Sequence, residues 1–527
     1  MGHDALSAPK TAFETDEQRT QGENAMQAYR YRDEKSDKFW RIEHIGAALA
    51  INYGKTGTTG KYQIKEFDSK EACEKEARKL IASKTKKGYQ VYPEFDAGSQ
   101  LHIDDEEIGL HPLTSHPSFR AHFTEDFYYD CGDEEAPFGS DEGSDTLAEL
   151  QDYMKKNRNI VLYRFPRHIM ADVWDMRYLP PDSLEPEDIK AIIARPDDGI
   201  PMSQYLMIND QVIIASALGQ IKIMGRVELR LRALALRAMR RLITVAELMG
   251  YGYSGITQKM IEDLESFQNP PGPAPSKTAQ TLMRYLACPC EVFSGLLDDD
   301  DIIFSYEQAL EEGKTEGFTP LLVVADDILL ESVTLAADDD SNMDFDPEKV
   351  KTYRADAVRE ALTLDPEEVL KALIDELDAD ERPETGPVKG GKAIMRLHAF
   401  WNYNATTFFN CHPTKEVILA RIPARNPWEL PVYVPMGGFN DCPAPAQQAA
   451  VMKYWYEKYG AVPSLVTYDE WELTLPRPVA DEGEALKLAN EHYAFCYDRV
   501  EQYESGYTIG KLAHCLMQST VWYFWWD

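Results

Sequence analysis

The chain has 527 residues, enough for about three domains, and its 55 lysines and arginines against 89 aspartates and glutamates give a net charge of −34. This charge disfavours long-range attraction to nucleic acid and acidic membranes and favours a basic protein partner. Hydrophobic residues make up 44% of the chain, but no apolar run reaches the roughly 18 residues of a membrane span and no signal-peptide pattern opens it, so we expect a folded cytoplasmic protein.

Residues 1–34 are polar with little periodicity, and we expect a loose leader or one frayed helix there. Period-two runs separated by glycines then predict three strands, at Phe39–Ile45, Ala48–Tyr53 and Tyr62–Phe67. A helix follows, with Asp68 as its expected N-cap and Gly88 after its end. The pattern therefore predicts a small sheet packed on one helix over residues 35–92.

Two short motifs in this stretch carry a resemblance to a known family. They are Tyr53-Gly54-Lys55, after the second predicted strand, and Phe67-Asp68-Ser69, before the helix. Both are similar to motifs of the WGR domain, named for a Trp-Gly-Arg signature and found in poly(ADP-ribose) polymerases and in bacterial proteins. The resemblance implies contact with DNA ends and signalling between domains. Lysine lacks the planar fork of arginine, and the motif also fits a purely structural turn, so both interpretations stay open here.

The charge is unevenly distributed along the chain. Residues 35–90 carry thirteen lysines and arginines against seven acids, a local excess of +6 that leaves −40 on the remainder. The sequence therefore predicts a basic module attached to an acidic body.

Residues 93–268 are predicted to form a mainly helical domain. Ile160–Tyr163 is a candidate for a short buried strand, and Gln211–Met224 is an apolar run. Arg226–Met249 is predicted to be a helix in which arginines alternate with apolar residues. Because apolar residues lie nearly all around it, we expect it to be largely buried, with arginines that neutralise acidic neighbours. An exposed helix that offers guanidinium groups to phosphate is the alternative.

A proline-rich linker at 269–277 divides the molecule, and 278–527 is predicted to be an α/β domain with an acidic helical insert at 335–385. The whole chain is thus expected to be an α+β multidomain protein. The final stretch resembles a bacterial C-terminal domain family of unknown function, through motifs that include Gly437–Pro443 and the terminal Val521–Asp527. The aromatic terminus is expected to be a strand locked into the core.

Few residues suggest chemistry. Asn440, Asp441 and Cys442 form a possible pocket, because a thiol beside a carboxylate can act as a nucleophile, although a structural turn is the favoured interpretation. The eight cysteines are scattered and predict free thiols. Neither Cys288-Pro289-Cys290 nor the histidines at 111, 116 and 122 have metal-site spacing, so no metal and no cofactor is expected.

These observations favour a non-catalytic protein that neutralises a partner by binding it. The resemblance to modular bacterial chains implies an immunity protein, with a basic toxin domain as partner and the active site of an ADP-ribosyltransferase toxin as the surface that it blocks. The predicted contact residues lie in the WGR-like module, at Arg41, Tyr53, Gly54, Lys55 and Lys61.

Two alternatives remain at this point. The first is a nucleic-acid-associated regulator that binds through the WGR-like module, with Lys38 added to the contact face. The second is an enzyme of unknown type centred on Asp441 and Cys442.

Overall fold

The computed structural model describes residues 26–96, 98, 100–156, 161–196, 199–252, 255–294, 299–336, 345–377, 382–398, 416–502 and 506–526. The chain divides into two compact units, Met1–Pro270 and Pro271–Asp527. The division falls inside the predicted proline-rich linker. None of the helices in the described ranges is both long enough and apolar enough to cross a bilayer.

The first unit opens with a five-stranded sheet in the order β4-β3-β2-β1-β5, in which every pair is antiparallel. Its strands are β1 Gln27–Arg32, β2 Asp37–Ile45, β3 Ala48–Lys55, β4 Lys61–Glu66 and β5 Gln90–Val91. Helix α1, Lys70–Lys86, packs on one face, where Trp40 and Ile42 meet Cys73 and Ala77. This is the predicted sheet and helix.

Two details of this module differ from the prediction. Strand β1 lies inside the stretch that was predicted to be a polar leader. The strand is held to the sheet by Tyr29, which is buried against Trp40, although the residues around Tyr29 are polar. The remainder of that leader, residues 1–25, lies outside the described residues. The N-cap of α1 is Ser69 rather than Asp68, and its side chain accepts a hydrogen bond from the amide of Ala72 at 3.2 Å.

The rest of the first unit is mainly helical, as predicted. Its helices are α2 Pro117–His122, α3 Asp141–Lys156, α4 Phe165–His168, α5 Pro186–Ile193, α6 Met202–Met224, α7 Leu229–Met249 and α8 Ile256–Ser266. The strand prediction at Ile160–Tyr163 is wrong for its described residues, because Leu162–Arg164 forms a 3-10 turn. Residue 160 lies outside the described residues. Glu228 accepts hydrogen bonds there from the amides of Leu162 and Tyr163, at 2.7 and 2.6 Å, which occupies the donors that a strand would need.

A buried ion pair joins the two longest helices of this unit. The guanidinium of Arg241 on α7 donates to the carboxylate of Asp210 on α6 at distances from 2.7 to 3.0 Å, and both side chains are almost fully buried. Arg241 also donates to the carbonyls of Leu179 and Pro180 at 2.8 and 2.9 Å. An arginine of the predicted buried helix therefore neutralises an acidic neighbour, as expected.

The second unit contains a six-stranded mixed sheet in the order β11-β10-β9-β7-β8-β6, in which β7 and β9 are parallel and the other pairs antiparallel. The strands are β6 Cys290–Phe293, β7 Thr319–Val324, β8 Val417–Ile422, β9 Val462–Val466, β10 Glu470–Thr474 and β11 Val521–Trp525. Strand β11 is the predicted terminal aromatic strand, and Trp522 and Phe524 are buried in the core.

Helices cover both faces of this sheet. They are α9 Lys277–Leu286, α10 Asp300–Glu316, α11 Asp327–Ala336, α12 Pro347–Ala361, α13 Pro366–Glu376, α14 Leu430–Tyr433, α15 Pro445–Tyr459, α16 Glu482–Phe495, α17 Asp498–Glu501 and α18 Ile509–Leu516. Helices α12 and α13 fall in the predicted acidic insert, whose residues 337–344 and 378–381 lie outside the described residues. Both helices also contribute to the interior of the unit, since Val350 and Leu370 are buried in its core.

We expect Asp210→Asn to lower the free energy of unfolding of the first unit by about 3–5 kcal/mol, because the guanidinium of Arg241 would remain buried without its counterion. Asp152→Asn is the control, since Asp152 pairs with Lys155 on the exposed surface of the same unit and such pairs contribute under about 1 kcal/mol. Urea unfolding followed by circular dichroism measures both. Equal losses for the two variants would contradict a structural role for the buried pair.

Candidate functional site

A tight turn between β3 and β4 shapes one end of the amino-terminal sheet. Gly60 has φ +73°, and a Cβ atom there would lie 2.6 Å from the ring of Phe39 and 2.9 Å from the carbonyl of Tyr53. A Cβ atom on Gly54 would lie 2.9 Å from the Cα of Gly60. Both positions require glycine, because no real Cβ atom approaches its neighbours so closely. The glycine of the signature thus supports the turn and does not itself offer a contact group.

The strand register brings lysines together at this end of the sheet. Lys38 on β2 lies opposite Lys55 on β3, and Tyr53 on β3 lies opposite Lys61 on β4. Side chains of a strand alternate between its faces, so all four point to the face that carries α1. All four are exposed, Tyr53 by 39%.

The end of helix α1 adds cations to the same place. The Nζ atom of Lys84 lies 4.9 Å from the ring centroid of Tyr89, 5.4 Å from that of Trp40 and 6.0 Å from that of Tyr53. Burial lowers the pKa of Lys84, and the nearby charges of Lys87 and Lys38 lower it further. We call the group formed by these residues the lysine–tyrosine surface: Lys38, Tyr53, Lys55, Lys61, Lys84 and Lys87.

Arg41 does not belong to this surface, and its predicted role in partner contact is corrected by the structure. It lies on the opposite face of the sheet and is 3% exposed. Its Nη2 donates to the hydroxyl of Tyr62, and its guanidinium lies 5.9 Å from the ring centroid of Phe95. Burial lowers its pKa. Phe95, which follows β5, covers this face beside Arg41 and Phe39.

A second ion pair fastens the covered face to the helices of the same unit. Glu43 on β2 pairs with Arg120 on α2, and both side chains are largely buried. The amide of Tyr62 donates to the carboxylate of Asp105 at 3.2 Å. The sheet therefore has one face bound to its own unit and one edge of the other face available to a partner.

Tyr53, Lys55 and Lys61, three of the predicted contact residues, lie together on one surface. Lys84 and Lys87, which come close only because α1 ends beside Tyr53, were missed. The signal in the sequence was the run of lysines at the end of the helix. Cations are common there because they interact favourably with the negative, carbonyl end of the helix dipole.

The second candidate, the turn at Gly437–Pro443, has the geometry of a structural element. Asn440 and Asp441 are exposed and have left-handed backbone conformations, with φ of 41° and 59°. Cys442 is buried, and burial raises the pKa of its thiol well above the usual range. The amide nitrogen of Gln448 donates to the carbonyls of Met436 and Pro443, each at 2.7 Å, and holds the turn closed.

This arrangement does not activate the thiol. A nucleophilic cysteine needs a thiolate in a partly exposed, positive environment, whereas Cys442 packs 3.7 Å from the sulfur of Met436. The hydroxyl of Tyr497 donates to Asp441 at 3.4 Å, on the exposed side of the turn. The three predicted pocket residues therefore face different environments.

The histidines singled out in the sequence have local structural contacts. Nδ1 of His111 accepts a hydrogen bond from the amide of Leu113, and Nδ1 of His116 accepts one from the amide of Ser118, each at 3.0 Å. Both cap the helical turns that follow them. Within the described ranges, no group of three or more His, Cys, Asp or Glu side chains has a geometry that could hold a metal ion.

Comparison with family models confirms both resemblances. The model "WGR domain" matches residues 25–96, which include β1, and the model "Domain of unknown function (DUF4253)" matches residues 418–527. The C-terminal match covers β8 to β11 and the helices between them.

Two proteins of Escherichia coli K12 are similar to the chain. The first, described as the uncharacterized protein YfeS, is 45% identical over 240 residues, which are 45% of this chain and 96% of YfeS. The second, protein YehF, is 50% identical over 64 residues, which are 12% of this chain and 23% of YehF. A crystal structure of a Bacteroides fragilis protein matches 24% of this chain and 39% of its own at 25% identity, but its TM-score of 0.13 carries no structural argument.

The turn that supports the lysine–tyrosine surface gives a stability prediction. Gly57 and Gly60 both have positive φ, but only Gly60 has atoms within 4 Å of a new Cβ. We expect Gly57→Ala to cost about 1–2 kcal/mol for its left-handed conformation. Gly60→Ala should cost about 1–3 kcal/mol more, because its methyl group would overlap Phe39 and Tyr53. Thermal unfolding compares them, and equal costs would contradict the close approach.

Proposed function

The chain belongs to the family of the Escherichia coli protein YfeS, and we propose that it is a binding protein whose WGR domain holds nucleic acid at the lysine–tyrosine surface. The observation that carries the proposal is the clustering of exposed lysines around Tyr53 on one edge of the sheet. The resemblance to poly(ADP-ribose) polymerases supports it, since their WGR domain contacts DNA ends.

Charge density favours a polyanion as the ligand. Double-stranded DNA carries one negative charge per about 1.7 Å of helix axis, so a cluster of lysines meets several phosphates at once. Exposed charges more than about 8 Å apart are largely screened at physiological salt. The local lysines, rather than the net charge of −34 on the chain, therefore govern the contact once it forms.

The side chains also indicate the kind of contact. Lysine is a point charge that binds phosphate without the two-pronged geometry of arginine, so Lys55 fits contact with the backbone rather than with base edges. The exposed ring of Tyr53 offers a stacking platform for an unpaired base, a contact that is worth roughly 1–3 kcal/mol. Together these groups suit a DNA or RNA end without sequence preference.

We expect Lys55→Ala and Lys61→Ala each to weaken binding to a blunt DNA duplex and to reduce the slope of log K against log salt by about 1, because each removes one phosphate contact. The control is Lys79→Ala, since Lys79 lies on α1 and pairs with Glu76. Fluorescence anisotropy with a labelled duplex across a salt series measures all three. No binding at low salt, or an equal loss for the control, would end the proposal.

A second candidate function is neutralisation of a basic toxin, which uses a different surface of the chain. The residues outside 35–90 carry a net charge of −40, which steers a basic partner towards them. A groove of about 270 Å³ lies among helices α6, α7 and α8. Its apolar lining includes Met207, Ile214, Leu242, Ile243 and Met260.

The rim of this groove carries the exposed acids Glu134 and Glu135. An apolar side chain flanked by lysine or arginine fits this combination, because the groove takes the apolar part and the rim takes the cation. The finer form of the proposal is an immunity protein that covers the active site of an ADP-ribosyltransferase toxin.

We expect expression of the chain to protect cells from a toxin encoded beside its gene, and protection to fall when Ile243→Glu or the double change Glu134→Lys with Glu135→Lys is introduced. Glu149→Lys is the control, because Glu149 is an exposed acid on α3 outside the groove lining. Growth after toxin induction measures protection. Unchanged protection by the groove variants, or none by the natural chain, would contradict this candidate.

A further inference from the structure

The strongest feature outside these two surfaces is a pair of thiols at the start of strand β6. The Sγ atoms of Cys288 and Cys290 lie 3.9 Å apart, and both residues are partly exposed. We propose that Cys288 and Cys290 form a redox-active dithiol that reduces small disulfides such as oxidised glutathione, and that the pair is itself oxidised to a disulfide. This site is independent of the proposed binding function.

The backbone before β6 brings the two thiols together. Helix α9 ends at Leu286, and its C-cap residue Ala287 has a left-handed conformation with φ 52°. The chain then turns through Pro289, whose carbonyl accepts a hydrogen bond from the amide of Arg421 at 2.9 Å. The thiol of Cys290 donates to the carbonyl of Cys288 at 3.3 Å. Strand β6 is the edge of the sheet, and both cysteines are partly exposed, so the pair is partly accessible to a small disulfide.

The two thiols have different roles. The hydrogen bond between the two thiols lowers the pKa of Cys288, and the guanidinium of Arg354 lowers it further. The same hydrogen bond, together with burial, raises the pKa of Cys290. A thiolate is the nucleophile in thiol–disulfide exchange. Cys288 is therefore the attacking thiol and Cys290 the resolving one.

Arg354 is held in place beside the pair. Its guanidinium lies 5.0 Å from the ring centroid of Tyr285 and 4.7 Å from that of Tyr433, and one of its Nη atoms donates to the carbonyl of Tyr285 at 3.1 Å. Its Nε atom is buried and has no hydrogen-bond partner within the described residues. The positive charge of Arg354 lies close enough to Cys288 to lower the pKa of its thiol, and it therefore favours the thiolate.

The other described cysteines lack these features. Cys73, Cys442, Cys496 and Cys515 are buried, and burial raises the pKa of the first three. Cys131 is exposed, but desolvation and the charge of Asp130 raise its pKa. Cys131 is therefore the internal comparison for a thiol that is reachable without being activated.

The reaction balances with the disulfide as oxidant. The Cys288 thiolate attacks one sulfur of R–S–S–R, the S–S bond breaks, and R–S⁻ leaves and takes up the proton that Cys288 lost. Cys290 then loses its proton and attacks Sγ of Cys288 in the mixed disulfide, and the second R–S⁻ leaves and is protonated. Two protein thiols lose two electrons, and one disulfide becomes two thiols. The two Sγ atoms must close from 3.9 Å to about 2.05 Å.

Mass spectrometry of the full chain after treatment with oxidised glutathione tests the proposal, with peptide mapping to locate each change. In the natural chain, the peptide with both cysteines should lose the mass of two hydrogen atoms. Cys290→Ser should instead retain glutathione on Cys288, because the resolving thiol is gone, and Cys288→Ser should retain none on Cys290. Circular dichroism checks that each variant is folded.

Variants of Arg354 keep both cysteines and therefore test the activation of Cys288 without removing either thiol. Arg354→Gln should slow modification of Cys288 several-fold at neutral pH and move the midpoint of its pH profile upward, because less thiolate is present; Arg354→Lys should restore most of the rate. At high pH the rates should converge. Modification of Cys131 as fast as Cys288, or no adduct on Cys288 in the Cys290→Ser chain, would overturn the proposal.

Discussion

The alternation of side chains along strand β2 is the constraint on which the WGR domain depends. Trp40 and Ile42 point towards α1 and build the small core, while Arg41 and Glu43 point to the other face. A shift of the register by one residue would exchange the two sets. The exposed edge around Tyr53 therefore exists because the arginine and the glutamate are buried on the opposite side.

Buried charge explains why this arrangement is specific. Leaving one partner of a buried ion pair alone costs about 3–5 kcal/mol, so the buried ion pairs of the first unit need both partners in place. Lys222 on α6 is fully buried and its Nζ donates to both carboxylate oxygens of Asp104 at 2.8 Å. With the Glu43–Arg120 pair, it joins the sheet, the segment after it and the helices. Lys222 and Arg120 are occupied by these ion pairs and are not available to a binding partner. The exposed lysines around Tyr53 are available.

Much of the fold could be predicted because its signals are local. Period-two runs identified β2, β3 and β4, and the aromatic run at the terminus identified β11. Tyr53 and Lys55 were found because they stand in the signature motif, and Lys61 because it lies in the same basic module. Strand β1 was missed, since its only deeply buried residue is Tyr29 and its neighbours are polar.

The rest depended on contacts between distant parts of the chain. The pattern of β2 shows two faces but not what covers the second, so Arg41 was assigned to the surface. Lys84 joins the site through the packing of α1 on the sheet. The distance between Cys288 and Cys290 depends on the left-handed turn at Ala287, which nothing in the sequence marks, since alanine seldom adopts it.

The central claim is that the lysine–tyrosine surface is where the WGR domain meets nucleic acid. Lysine acetylation footprinting with and without a blunt DNA duplex, read by mass spectrometry, measures this for every lysine in one experiment. The account predicts that Lys38, Lys55, Lys61 and Lys84 lose reactivity in the presence of DNA while Lys79 keeps it. Equal protection along the whole of α1, or no protection of the four lysines, would contradict it.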